Sequence, residues 1–139
     1  MLLDLERVLA GAQAVLRDAG VLDRCRILPG DFFREIPSGG DLYLLKAVLH
    51  NWDDGAAVEI LRNCRHAMRP GARIVVVESL LEPSDPWRDN FLDLHMLVMH
   101  GGRERTADQI GHLLAGAGLR LDTVTGTAAG LSLLAGRTA

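Results

Sequence analysis

The sequence has little of what marks several large classes of protein. Aromatic residues make up 4% of the chain, and 15 basic against 18 acidic residues give a net charge of −3. Without a basic stripe interleaved with aromatic side chains, nucleic-acid binding is not expected. No apolar run approaches the roughly 20 residues that span a bilayer, and Asp4 and Glu6 stand where a signal peptide would be basic. We therefore expect a cytoplasmic protein that binds neither nucleic acid nor membrane.

Cysteine is also scarce. Cys25 and Cys64 lie far apart and match no metal-ligand spacing, so we interpret them as ordinary thiols and predict no metal site. What the chain does have is apolar residues, which form 48% of its 139 positions. That is enough for one compact domain with a hydrophobic core.

Two short apolar segments near the start are predicted to be strands. They span residues 1–3 and 25–28, and the acidic residues Asp4 and Asp31 follow them. Between them, apolar residues recur at helical spacing over residues 5–19. The pattern predicts a strand, one amphipathic helix and a second strand.

The middle of the chain is predicted to continue the same alternation. Nearly continuous apolar runs over residues 41–49 and 72–81 are typical of strands buried on both faces of a sheet. A helix with an apolar stripe lies between them; Asp53 or Asp54 can cap its start and Pro70–Gly71 can end it.

The last third of the sequence predicts two helices and two strands. The helices span residues 87–99 and 107–117, the second one starting at the capping residue Thr106. The apolar segments 119–125 and 131–135 follow as strands that can form a hairpin. Strands alternating with helices predict an α/β fold with a mainly parallel sheet.

Polar residues at the ends of the predicted strands are the candidates for a ligand site, because open parallel sheets bind ligands there. These residues are Asp4, Asp31, Lys46, His50 and Glu78. Two carboxylates after successive strands suit a nucleoside, since a carboxylate accepts hydrogen bonds from ribose hydroxyls or an adenine amino group. The alternative is that Asp4 and Asp31 are helix caps or turn residues.

His50 is the candidate general base. An imidazole with a pKa near 6.5 takes a proton from a hydroxyl at neutral pH when a carboxylate orients it. Glu78 and Glu104 are candidates for that carboxylate. The alternative is a structural histidine whose ring is hydrogen-bonded within the fold.

Four segments in register give the sequence a specific resemblance. Gly30–Phe33, Leu45–Asp54, Val75–Glu78 and Gly101–Thr106 resemble segments of the plant caffeic-acid-type and bacterial antibiotic-type O-methyltransferases of secondary metabolism. The similarity runs over almost the whole chain, from Asp4–Leu5 to the last strand. It implies a Rossmann-like class I domain that transfers a methyl group from S-adenosylmethionine to a hydroxyl of a small aromatic molecule.

The resemblance also implies roles for individual residues. Asp4 would bind the ribose hydroxyls of the cofactor, Asp31 and Phe32 would hold its adenine, and Lys46 would lie near its methionine portion. His50 would be the general base, oriented by the catalytic residues Glu78 and Glu104. The acceptor pocket would be lined by Trp52, Asp93, Met96 and Met99. The alternative is that these methionine and aromatic side chains pack in the hydrophobic core.

The sequence departs from the family pattern in three places. Asn51 stands where the plant enzymes have aspartate, and Glu6 replaces a proline. More important, no Gly-x-Gly loop stands between a strand and a helix near the start, although family members use that loop for close approach to the cofactor. The resemblance therefore implies an incomplete domain, lacking its first strand and Gly-rich loop, in which residues 1–139 are the C-terminal part of the catalytic domain.

A missing central strand would leave two sheet edges unpaired, and each buried unpaired backbone group costs roughly 1–3 kcal/mol. We expect the chain to be marginally folded, repaired by pairing of the two edges, or completed by another polypeptide. Full-length relatives would be homodimers with a helical N-terminal domain. The alternative to an enzyme is a truncated, non-catalytic remnant or partner-binding module; a hydrolase is disfavoured because no Gly-x-Ser-x-Gly occurs.

Overall fold

The computed structural model describes residues 1–81 and 86–139, which contain six strands and five α-helices. They divide into two units, Met1–Pro37 and Ser38–Ala139. Within the described residues, no helix is long and apolar enough to cross a membrane.

The first unit pairs two short parallel strands. Its elements are, in order, β1 (Leu2–Asp4), α1 (Glu6–Leu9), α2 (Ala12–Asp18), a 3-10 turn (Leu22–Arg24) and β2 (Ile27–Pro29). β1 and β2 are joined in register from Leu2 opposite Ile27 to Asp4 opposite Pro29. Their parallel pairing brings the carboxyl ends of both strands to one edge.

The single helix predicted over residues 5–19 is wrong in one respect, since the structure has two helices there. Gly11 stands between α1 and α2 and is the N-cap of α2. Apolar spacing continues across this residue, but glycine loses more backbone entropy in a helix than any other residue. Periodicity alone therefore does not reveal the interruption.

The second unit is a four-stranded sheet with helices. Its elements are β3 (Leu42–Lys46), a 3-10 turn (Leu49–Asn51), α3 (Asp54–Ala67), β4 (Arg73–Glu78), α4 (Pro86–His100), α5 (Ala107–Gly116), β5 (Leu119–Gly126) and β6 (Ser132–Thr138). The strand order is β3-β4-β6-β5. β3 and β4 are parallel, whereas β6 is antiparallel to both β4 and β5. The predicted hairpin is therefore confirmed as β5 and β6.

The core of this unit lies between β4, α3 and α5. β4 alternates, so that Ile74, Val76 and Glu78 are buried. The largest fully buried side chains are Leu49, Ile60, Leu61, Ile74, Ile110, Leu114, Leu119, Leu134, Val76 and Cys64. The predicted caps are present: Asp53 accepts a hydrogen bond from the Ala56 amide, and Thr106 forms a reciprocal capping box with Gln109.

β3 ends earlier than its apolar run predicts. The strand stops at Lys46, and Ala47 follows with a φ of +54°, a left-handed conformation that is uncommon for alanine. The chain then turns into the 3-10 segment that carries His50. The prediction that this strand is buried on both faces is wrong, because β3 is the outer strand of its sheet and Leu42 and Leu44 are 54% and 60% exposed.

Candidate active site

His50 lies in a cluster with two buried carboxylates. Its Nδ1 atom is 3.1 Å from Oε1 of Glu104 and 3.6 Å from Oε2 of Glu78. The imidazole is 19% exposed, whereas the two glutamate side chains are 5% exposed or less. The structure thus brings together the three predicted catalytic residues, with part of the ring open to solvent.

Glu78 is tied to the turn that carries His50. It is the last residue of β4, and its Oε1 accepts hydrogen bonds from the amides of Val48 at 3.1 Å and Leu49 at 2.9 Å. Oε2, the atom nearer His50, is buried without a hydrogen-bond partner in the described part of the chain. Glu78 therefore fixes the backbone before His50 and also faces its ring.

Glu104 reaches the cluster from the segment between α4 and α5. Its amide donates to Oδ1 of Asp93 on α4 at 2.8 Å, while its Oε1 is the atom closest to His50. Like Glu78, it has a buried Oε2 with no partner among residues 1–81 and 86–139. Asp93, predicted as a substrate residue, is thus in contact with the backbone of a predicted catalytic residue.

The electrostatics of the cluster favour the protonated form of His50. The hydrogen bond to Glu104 raises the pKa of His50, as do the charges of both glutamates, and together they outweigh the burial that lowers it. Burial also raises the pKa of Glu78, although His50 and the Val48 and Leu49 amides oppose that rise. In the neutral ring, the contact with Glu104 favours the tautomer protonated at Nδ1, which leaves Nε2 as the proton acceptor.

One possible metal-ligand atom from each of these three residues lies within 4.8 Å of the other two, which is close enough to hold a cation. Nδ1 would have to lose its proton first, because that atom donates to Glu104 in the tautomer described above. The hydrogen bond to Glu104 is sufficient by itself to explain the orientation of the His50 ring.

Two residues near His50 were missed by the sequence reasoning, although both belong to the segment Gly101–Thr106. A Cβ atom at Gly102 would overlap the carbonyl oxygen of His50 and the backbone of Asn51. Arg105 has a side chain only 2% exposed, and it donates to the carbonyls of Leu49 at 2.9 Å and Trp52 at 2.8 Å. Neither the charge of Arg105 nor the spacing of the two residues in the sequence indicates that they contact the backbone around His50.

A small pocket adjoins the cluster. Its lining residues are Leu49, His50, Glu78, Ser79, Arg103, Glu104, Arg105 and Ile110. The four predicted acceptor residues are not in this lining. Trp52 follows the 3-10 turn, Met96 is 7% exposed within the core, and Met99 is 61% exposed on α4.

Asp4 and Asp31 share one edge of the first unit. Asp4 ends β1 opposite Pro29, and Asp31 follows β2 directly after Gly30, whose amide donates to the Asp4 carbonyl at 2.9 Å. Each aspartate accepts one backbone amide through Oδ1: Asp4 from Leu5 at 2.7 Å and Asp31 from Phe33 at 2.9 Å. Both therefore act as turn residues, and Oδ2 of Asp31 also lies 3.9 Å from Nε of the exposed Arg34.

The remaining predicted cofactor residues are Phe32 and Lys46. The ring of Phe32 lies 5.1 Å from that of Phe33, centroid to centroid, in the first unit. Lys46 is the exposed last residue of β3 in the second unit. Two carboxylates and an aromatic ring at one strand edge fit the ribose and adenine of a nucleoside.

Comparison with known proteins gives consistent matches along the chain. The family model of the O-methyltransferase domain matches residues 1–120. The phenazine O-methyltransferase PhzM of Lysobacter antibioticus is 46% identical over 138 residues, which cover 99% of this chain and 40% of that protein. The mitomycin biosynthesis 6-O-methyltransferase of Streptomyces lavendulae is 44% identical over 121 residues, 87% of this chain and 35% of that protein.

Solved structures match equally well. The mitomycin 7-O-methyltransferase MmcR superposes with a TM-score of 0.94 at 41% identity, over 99% of this chain and 41% of that one. NcsB1, an O-methyltransferase from neocarzinostatin biosynthesis solved with S-adenosylmethionine and 2-hydroxy-5-methyl naphthoic acid, gives a TM-score of 0.88 at 34% identity, over 99% and 40%. The chain thus spans about two fifths of the length of these relatives.

Proposed function

The chain belongs to the O-methyltransferase family, and on that premise we propose that it contributes to transfer of a methyl group from S-adenosylmethionine to a hydroxyl of a small molecule. Residues 1–139 would be the C-terminal part of the catalytic domain, in agreement with the α/β portion that superposes on the solved relatives. The observation that carries the proposal is the contact between His50 Nδ1 and Glu104 Oε1 at 3.1 Å in a mostly buried cluster.

His50 is proposed as the general base. With Nδ1–H donating to Glu104, the lone pair of Nε2 takes the proton from the acceptor hydroxyl, and the oxygen becomes a better nucleophile as its O–H bond breaks. The imidazolium formed is stabilised by the carboxylates of Glu104 and Glu78. S-adenosylmethionine, when bound, supplies an electrophilic methyl group, so the protein mainly has to supply alignment and a base.

Cofactor binding is proposed for the strand edge of the first unit. The second carboxylate oxygens of Asp4 and Asp31 suit the ribose hydroxyls and the adenine amino group respectively, with Phe32 beside the adenine. Lys46 is proposed to lie along the methionine portion. The support is the shared edge of the two aspartates, which the parallel pairing of β1 and β2 creates.

An aromatic hydroxyl is proposed as the acceptor. Relatives are named as methyltransferases of phenazine, of 3-amino-4-hydroxybenzoate and of 2,7-dihydroxy-5-methyl-1-naphthoate, all of which are aromatic. The proposed lining of the acceptor site is Trp52, Asp93, Met96 and Met99. The exposure of Met99 is the feature that most favours a contact with acceptor, while the burial of Met96 favours a packing role.

The second candidate function is a partner-binding module without catalysis. It is favoured by β3, which is an apolar strand at the edge of the four-stranded sheet with two leucines more than half exposed, Leu42 and Leu44. Exposed apolar edge strands pair readily with other strands. A chain that self-associates through this edge, loses that association on Leu44→Lys, and binds no cofactor would favour this function.

Calorimetric titration with S-adenosylhomocysteine tests the first proposal, alongside a far-ultraviolet circular dichroism spectrum that establishes folding. We expect saturable binding by the chain, alone or with a completing polypeptide, and weaker binding after Asp4→Asn. Asp18→Asn on α2 is the matched control, because that exposed aspartate lies away from the strand edge. A folded protein whose affinity is the same in both variants would contradict the assigned cofactor site.

A further inference from the structure

We propose that Arg105 is a positioning residue of this site, which fixes the backbone on both sides of His50 and so holds the imidazole against Glu104. The inference rests on the proposed function, because it concerns the same histidine. It goes beyond that function by assigning a role to a residue that touches neither the imidazole nor any reacting atom.

The guanidinium of Arg105 binds both ends of the turn that carries His50. Nη1 donates to the Leu49 carbonyl at 2.9 Å, and Nη2 donates to the Trp52 carbonyl at 2.8 Å. Nε and Nη2 donate to Oδ1 of Asp54 at 3.0 and 2.7 Å. His50 and Asn51 lie between the two carbonyls that Arg105 binds. The backbone therefore has little freedom to turn the His50 ring away from Glu104.

The segment around Arg105 also holds His50 directly. The Arg103 amide donates to the His50 carbonyl at 2.9 Å, and Gly102 lies so close that a Cβ atom would overlap that carbonyl oxygen. Glu104, in the middle of the same segment, accepts the hydrogen bond from His50 Nδ1. The distance between base and carboxylate therefore depends on how this one segment is docked on the turn.

Arginine has the chemistry that this position needs. Its five N–H donors form a planar fork that reaches two carbonyls and a carboxylate at once, whereas lysine has a single ammonium group on a flexible stem. Asp54 balances the buried charge, although its own side chain is 58% exposed. A lysine at this position would keep the charge but lose some of the hydrogen bonds to the two carbonyls and to Asp54.

The test is the pKa of His50 in Arg105→Lys, measured from the imidazole ¹⁵N shifts in a pH titration by NMR. We expect the pKa to fall toward its ordinary value near 6.5, because the hydrogen bond to Glu104 is the main cause of its rise. Glu78, Glu104 and the neighbouring Arg103 remain, and the overall charge is unchanged, so a purely electrostatic effect would not move it.

Arg62→Lys is the matched control. Arg62 also donates to a backbone carbonyl, that of Gly116 at 3.1 Å, and this bond joins α3 to the end of α5 rather than to the turn that carries His50. The pKa of His50 should be unchanged in this variant. A folded Arg105→Lys protein with the wild-type pKa, or an equal fall in both variants, would overturn the proposal.

A second measurement needs no variant, in case Arg105→Lys does not fold. In the wild-type chain, the Nη protons of Arg105 should give separate, slowly exchanging signals, because its Nη atoms are bound in fixed directions. Averaged signals, as for a freely rotating guanidinium, would overturn the assignment. Neither measurement requires methyl transfer, so a failure to bind S-adenosylhomocysteine would refute the proposed function and leave this inference to be judged by itself.

Discussion

His50 Nδ1 lies 3.1 Å from Glu104 Oε1, although the two residues are 54 positions apart in the sequence. The contact joins the turn after β3 to the segment before α5. It fixes which ring nitrogen carries the proton in the neutral imidazole, and hence which nitrogen can accept one.

Replacing His50 by alanine should abolish most of the methyl transfer in a protein preparation that has the activity. Loss of a positioned general base lowers rates by about 10²–10⁴-fold. Affinity for S-adenosylhomocysteine should change little, because no cofactor contact is assigned to the ring. His66→Ala, at an exposed position on α3, is the control and should retain full activity. Equal activity of both variants would refute the assigned base.

The rate of methyl transfer should rise with pH, with a midpoint above the ordinary pKa of histidine. The base must be neutral, and the raised pKa of His50 delays its deprotonation. Glu104→Gln should move the midpoint of kcat/KM to lower pH, because it removes the main cause of the rise. The stability contribution of His50 has the opposite pH dependence. Charged His50 stabilises the fold fully below about pH 6.5, and this stabilisation is lost as the pH rises through the raised pKa. An unchanged midpoint in Glu104→Gln would contradict this account.

Gly102→Ala should destabilise the second unit and displace the turn that carries His50. The added Cβ would overlap the His50 carbonyl oxygen and the Asn51 backbone, neither of which can move without breaking other bonds. Overpacking of this kind costs roughly 1–3 kcal/mol. Urea denaturation measures the loss, and Gly126→Ala is the control because a Cβ there meets nothing within 4 Å. Similar losses in both variants would indicate a general glycine effect.

Asp54→Asn should lower the free energy of unfolding by roughly 0.5–1 kcal/mol near neutral pH, since Arg105 loses its charged partner and solvent screens the 58% exposed Asp54 side chain. The hydrogen bond from Arg105 holds the pKa of Asp54 below its usual value. A lowered carboxyl pKa stabilises the fold above about pH 3.8, and that contribution is lost as the pH falls through the folded-state pKa. The difference between wild type and variant should therefore shrink in acid.

Urea titrations near neutral pH and near pH 3 check this dependence. Glu59→Gln removes an exposed acid from the same helix and serves as the control, with little expected change at either pH. A loss in Asp54→Asn that is independent of pH would show that the pairing with Arg105 is not its cause.

The sequence by itself determined the local structure of this protein. The capping residues Asp53 and Thr106 and the final hairpin were predictable, because each depends on side chains a few positions apart. The motif resemblance likewise identified the family that the comparisons confirm. The same local patterns failed where backbone conformation intervened, as at Gly11 between two helices and at Ala47 after β3.

Only the tertiary structure decided how the candidate site is supported. In the folded chain, the Glu104 amide donates to Asp93, and Arg105 donates to the carbonyls of Leu49 and Trp52. These contacts join residues that are 11 to 56 positions apart, and one partner in each is a backbone atom, which has no identity that a sequence can display. They form because strand order and loop packing bring the segments together, so they can be found only once the chain is folded.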